Sequence, residues 1–513
     1  MTTTSVQARP APAVTSRLAP PLSLLRLLRI ELRRSPMPLI LPLIAALFWF
    51  DSYRPSTGMP PLFVLRTFWN MGQGGTIVDF GPLVAGMAAW IGSRDGRRGT
   101  ADVVTATARP RWPVQLVTWA AAAIWAVAGY LAFVSVMFAV YAEQGVQGEP
   151  PWWWVALGAT AVAAFSAAGF TAGAFFPSRF AAPLAAFGGF LAMMWSSQTG
   201  FSWTSGWPLI LPTNSNGNFQ PDSGMLYPYL PDLPIARIMF LAGIGVAALG
   251  LLGLPSRAGG PWLRRTAAVV TLAGVAATGT AVGLARTARL GPHGMVISLL
   301  HDAASDRPIR YTPVCASAAG MPVCLNPAYQ TELTTTTAAL APVVREVAGL
   351  PGAPGRAEQS GAVYNSGDGG GGQAMTITGI PPLLSMPLGA ENILGAWGAT
   401  RMQFTDQLRL LFVHAFVGAS SGAGTPAQQA VQAAMLQGAG VPIAAQPKLL
   451  TSVGLPSWAA VTGGPTPGPL PARGPVYAAA GRLAALPAAA RHAWLASHLA
   501  ALRSGRLTLA QLP

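Results

Sequence analysis

Residues 114–141 read VQLVTWAAAAIWAVAGYLAFVSVMFAVY, a run without one formal charge. About 20 apolar residues at 1.5 Å rise cross a hydrocarbon core of roughly 30 Å, so this stretch reads as a membrane-spanning helix. Working outward, apolar runs of similar character occupy 37–53, 76–92, 153–176, 180–197, 235–254 and 267–285. Seven spans are therefore expected before residue 290. Charged residues make up 10% of the chain, against about 25% in soluble proteins, and 51% are hydrophobic. Lipid is the solvent that this balance suits.

The net charge of +15 has two possible readings, and the positions of the charges decide between them. With the N-terminus inside, segments 1–36, 93–113, 177–179 and 255–266 carry fifteen arginines, whereas the intervening outer loops carry only Arg54 and Arg66. That asymmetry encodes topology. A nucleic-acid surface would interleave its cations with aromatic residues on a soluble face. No nucleic-acid partner is expected. The N-terminus is expected in the cytosol, in a multi-pass protein of the cell membrane.

Three regions follow. Residues 1–21, bearing Pro10, Pro12, Pro20 and Pro21, read as a disordered cytosolic leader with no cleavable signal peptide. Residues 22–286 form the transmembrane domain. It opens with LSLLRLLRIELRR (22–34), a basic amphipathic helix whose Arg26, Arg29 and Arg33 share one face. Such a helix is expected along the inner surface, with membrane lipids as partners through their anionic headgroups.

Residues 287–513 are a soluble domain, placed outside the cell by an odd number of spans. Its two cysteines, Cys315 and Cys324, are the only ones in the chain and sit where a hairpin would close through a disulfide. That bond needs an oxidising compartment. Helical patterns at 331–349, 426–438 and 476–503 and a strand at 374–380 make the domain mixed α/β. Thr425-Pro426 reads as an N-cap and first turn. The fold class is thus an α-helical polytopic membrane protein of six or seven spans with a C-terminal mixed α/β extracytoplasmic domain.

Signatures of chemistry are missing. There is no GxxxxGK[ST] phosphate loop and no HExxH pair, so no catalytic or metal-ligating residue is assigned. His301-Asp302 has no nucleophile at a recognisable spacing. Asp79, within the expected span 76–92, is the candidate for a substrate path, since intramembrane acids tend to be functional.

The segment SRDGRRGTADVVTATARPRWPVQ (93–115) is longer than a reversal of the chain requires. Its Asp95, Arg97, Arg98, Gly99, Thr100 and Asp102, followed by Val103-Val104 and Thr105-Ala106-Thr107, resemble the acidic/basic-Gly-Thr-acidic-aliphatic run of ATP-binding-cassette (ABC) exporter permeases of the type-2 class. In that family the run follows the second span and supplies the coupling helix that docks on the ATPase.

The resemblance covers about residues 22–255. It implies that loop 93–113 contacts a cytosolic ABC ATPase through these residues, and that 22–34 is the family's interfacial helix. It also implies pairing with a second copy or a sister permease. ATP and Mg would be bound and hydrolysed on the ATPase, with no cofactor on this chain. A hydrophobic or amphipathic substrate would be exported. Two other readings stand beside it. One is a membrane-anchored extracytoplasmic receptor or assembly protein without transport. The other is an external hydrolase on an anchor, which 287–513 offers no constellation to support.

Overall fold

The structure is a computed structural model that describes residues 21–52, 77–99, 110–198, 210–211, 226–255, 260–291, 294–359, 375–386, 401–418, 424–446 and 474–513. Its first half is helical: α1 (Pro21–Arg34), α2 (Met37–Ser52), α3 (Ile77–Gly92), the single turn α4 (Arg94–Arg97), α5 (Arg111–Glu143), α6 (Trp152–Phe175), α7 (Ala181–Gln198), α8 (Asp232–Leu251) and α9 (Gly260–Arg286).

Four of these, α5, α6, α8 and α9, are long and apolar enough to cross a membrane. The apolar segments Met37–Leu47, Phe80–Gly92 and Ala181–Ser196 are shorter. At 1.5 Å per residue the longest of the three reaches only about 24 Å. Four full-length helices thus stand where the sequence led us to expect seven spans. Leu184, Phe187, Leu191, Val269, Leu272 and Val275 are all exposed on α7 and α9. So much apolar surface suits a lipid surround and would be a liability in water.

The helices pack through small residues. A Cβ at Gly169 or Gly173 of α6 would collide with the carbonyl oxygens of Ala85 or Ala89 on α3. One at Gly243 of α8 would meet the Gly274 carbonyl on α9. Backbones approach this closely only where side chains are absent, the usual basis of association between apolar helices in lipid. Helix α5 starts behind Pro110, with Pro113 in its first turn. It ends at Gly145, whose φ of +70° lets Val146 N–H donate to the Tyr141 carbonyl.

Helix α9 runs into the second half almost without a linker. Thr287 and Ala288 N–H still donate to the Leu284 and Ala285 carbonyls, and β1 (Arg289–Gly291) begins at the next residue, pairing with β2 (Gly294–Val296). Beyond it lies a five-stranded sheet of order β3-β4-β5-β7-β6, comprising β3 (Val314–Ala318), β4 (Met321–Leu325), β5 (Arg356–Gln359), β6 (Thr376–Thr378) and β7 (Leu383–Met386). Its outer pairs are antiparallel, while β4–β5 and β5–β7 are parallel. A parallel neighbour needs a crossover, and α10 (Leu333–Val347) supplies it between β4 and β5.

Helices α11 (Arg401–Phe416), α12 (Pro426–Gly438), α13 (Pro475–Ala485) and α14 (Ala488–Arg503) complete the domain. Its core gathers Val323, Tyr329, Leu340, Leu384, Phe412, Phe416, Met435 and Leu499. The Thr425 cap is present, with Gln428 N–H donating to Thr425 Oγ1 and Thr425 N–H donating to Gln428 Oε1. The pattern at 476–503 is two helices rather than one. Pro487 cannot donate a hydrogen bond and disfavours a helical Leu486, which is extended at ψ 143°. Cys315 and Cys324 lie opposite each other in the β3–β4 hairpin and are joined by a disulfide.

Candidate functional site

The helical bundle has two ends, and α6 and α8 run through it in the same direction. One end gathers α1, α4, the start of α5, the α6–α7 connection and the α8–α9 connection. The other carries the start of α8 and the junction of α9 with the sheet domain.

At the first end the chain leaves α3 through buried Ser93 into α4. Ser93 Oγ donates to the Trp90 carbonyl at 3.1 Å and accepts from Arg97 Nε at 3.0 Å. An Arg97 terminal nitrogen donates to the same carbonyl at 2.8 Å, and its guanidinium lies 3.5 Å over the Trp90 ring. Arg97 therefore caps α3, satisfying a carbonyl that the helix end leaves without an intrahelical donor. Gly99, at φ +65°, closes the turn through its N–H to the Gly96 carbonyl.

Arg94 reaches across to α1. It meets Glu31 through two hydrogen bonds of 3.3 Å and also lies 3.5 Å from Asp95. Burial lowers the pKa of Arg94, but the two carboxylates outweigh it and the net shift is upward. Gly96 packs so closely on Pro177 of the α6–α7 connection that a Cβ there would collide with it.

Of the residues singled out in this loop, Asp95 and Arg97 are half-buried in the junction, while Arg98 and Gly99 are exposed. Thr100 and Asp102 lie outside the described residues, as does the rest of 100–109. On α1, Arg26, Arg29 and Arg33 share an exposed face, whereas Leu24, Leu27, Leu28 and Leu32 are half-buried. Trp125 of α5 donates to the Leu32 carbonyl at 2.9 Å and holds the helix against the bundle. Asp79 falls in the first turn of α3, but its side chain lies outside the described residues.

The opposite end is organised by a residue that sequence reasoning passed over. Asp232, the first residue of α8, is fully buried. Its Oδ2 accepts the Ile297 N–H at 2.8 Å and lies 3.2 Å from His301 Nδ1, while His301 Nε2 lies 3.1 Å from Asp306. A carboxylate in the first turn also meets the positive end of the helix dipole. The imidazole between two acids has its pKa raised, chiefly by the Asp306 hydrogen bond; burial lowers it, and the Asp232 and Asp306 charges raise it further. Ile309 N–H donates to the Leu226 carbonyl beside it.

Next to this tie, Trp154 donates to the Tyr229 hydroxyl, with the rings edge-to-face at 5.2 Å. Burial pushes the Tyr229 phenol upward. Arg237, one turn into α8, is fully buried. A cation inside an apolar run was the signal available for this region. No local spacing could have joined Asp232 to His301, which follows 69 residues later. The chain matches no protein-family model, no curated protein and no solved structure.

Proposed function

We propose that this chain is the membrane-spanning permease subunit of an ABC exporter, moving a hydrophobic or amphipathic substrate with ATP hydrolysed on a separate cytosolic subunit. The junction around α4 carries the reading. One short turn is continuous with α3, paired to α1 through Arg94 and Glu31, and packed on the α6–α7 connection through Gly96 and Pro177. A push on that turn would reach three parts of the bundle together. That is what a coupling element needs if a partner's closure is to shift the bundle between two conformations. In this reading the junction faces the cytosol and the sheet domain lies outside, where a disulfide persists. The permease works as a homodimer or with a sister chain.

The geometry divides the loop's arginines by role. Arg97 is committed to Trp90 and holds α3, whereas Arg98 is exposed for a partner's acidic groups. The test is co-expression with the ABC ATPase encoded nearest to it and co-purification in detergent. Arg98→Glu should reduce co-elution and ATPase stimulation at least tenfold without changing Tm. Arg97→Ala should lower Tm, costing about 1–2 kcal/mol for the lost cap and ring contact. A well-folded wild-type chain that binds no ATPase would sink the proposal. The receptor reading would then take its place, since the tie at Asp232 joins the outer domain to the spans.

A further inference from the structure

A cleft of about 230 Å³ opens at the same end of the bundle as α4. It lies between the first two turns of α5 (Arg111, Gln115), the last turn of α6 (Ala174, Phe175) and the chain leaving α8 (Leu252, Pro255). Its frame is fixed. Trp112 Nε1 donates to the Leu249 carbonyl at 2.9 Å, and Thr171 Oγ1 donates to the Ala248 carbonyl at 3.1 Å, pinning α5 and α6 to α8. Within this frame Arg111 Nε is buried with no hydrogen-bond partner among the described residues. Buried donors rarely stay unmet, so this Nε–H is placed for an acceptor that the described residues do not supply. Gln115, one helical turn on, brings an amide to the same wall.

We propose that this cleft binds the phosphodiester headgroup of an anionic phospholipid. Three observations select that ligand. The volume falls below the roughly 300–1,000 Å³ of sites for drug-sized molecules and suits a headgroup whose tails remain in the bilayer. The depth fits, because Trp90 and Trp262 are exposed at this end, and tryptophan is enriched at membrane–water interfaces. Arg264 and Arg265, exposed at the start of α9, add to a basic surface there.

The third observation is the local charge. Arg111 and the N-terminus of α5 are positive, and the C-termini of α6 and α8 oppose them with about half a charge each. About half a positive charge remains. That balance accepts a monoanionic phosphodiester more readily than inorganic phosphate, a mixture of monoanion and dianion at neutral pH.

The full chain in detergent is titrated with short-chain phosphatidylglycerol, short-chain phosphatidylcholine or inorganic phosphate. Tryptophan fluorescence and native mass spectrometry give the affinity and the stoichiometry. Substituting Arg26, Arg29 and Arg33 together with Gln removes the diffuse attraction of α1 and leaves the cleft. In that background phosphatidylglycerol should bind one per chain at least tenfold more tightly than phosphatidylcholine. Arg111→Gln should erase the preference while leaving Tm in phosphatidylcholine unchanged.

Should Arg111→Gln fail to fold, Gln115→Glu places a carboxylate in the cleft and should erase the preference equally. Equal binding of the two lipids would overturn the proposal, as would a preference that survives both substitutions. Inorganic phosphate displacing phosphatidylglycerol at millimolar concentration would overturn the lipid assignment in favour of a free phosphate.

Discussion

The two ends of the helical bundle are held by opposite means. At the α4 end the contacts are numerous and mostly made by half-exposed cations: Arg94 to Glu31, and Arg97 to Ser93 and Trp90. Each is individually weak, because water and salt compete for such groups. At the sheet-domain end one fully buried carboxylate holds a backbone amide and an imidazole together. A buried polar group has no water to fall back on, so its loss costs more than any single surface pair. A junction made of many small interactions can change partners by degrees. One made of a single buried acid tends either to hold or to let go.

The largest expected effect lies beyond both ends, in the hairpin. Replacing Cys315 and Cys324 with serine frees a loop of nine residues' separation. The chain-entropy relation gives a cost of about 3 kcal/mol. Thermal unfolding should show this in the sheet domain alone, with the helical transition unmoved. If both transitions shift together, the halves are not separable units and the contrast between the ends fails.

Next comes Asp232→Ala. It strands the Ile297 N–H and His301 Nδ1 and should cost about 1–3 kcal/mol. Limited proteolysis near 297–310 should accelerate. The same treatment of Glu31→Ala at the other end should cost under about 1 kcal/mol. Comparable losses at the two ends would break the comparison.

The smallest effect sharpens it. The groups facing His301 are Asp232 from α8 and Asp306 from its own loop, and both favour the imidazolium. Its folded pKa is raised above about 6.5, so its contribution is fully present below that value. The contribution fades as pH rises through the folded pKa. The difference in Tm between wild type and His301→Gln should therefore be greatest near pH 5.5 and shrink toward pH 8.5. A difference that grows with pH would mean the neutral imidazole is the favoured form.

These contrasts also separate what could be read from the chain and what could not. Apolar runs made the long helices legible, because 3.6-residue periodicity and length act locally. The hairpin at Cys315 and Cys324 and the Thr425 cap were legible for the same reason. Pro487 carried a local signal too, but the alanine-rich pattern on either side of it outweighed the break. The α4 junction was visible as an unusual segment, yet its division of labour was not. Whether Arg97 turns inward to Trp90 while Arg98 faces out depends on how the turn leaves α3. The tie at Asp232 was beyond reach, since its partners come from a segment that returns only after α8 and α9 have formed.

The seam between α9 and β1 has a mechanical meaning. A 27-residue helix is about 40 Å long, and here it passes into a strand without a slack residue. Swivels between modules normally sit in loose connectors. With none at this point, a twist of the rod about its long axis turns directly into a sideways sweep of whatever is fastened to its tip. The β1–β2 hairpin is thus built like a crank on a shaft, and a few degrees of roll of the helix would become a displacement of the hairpin.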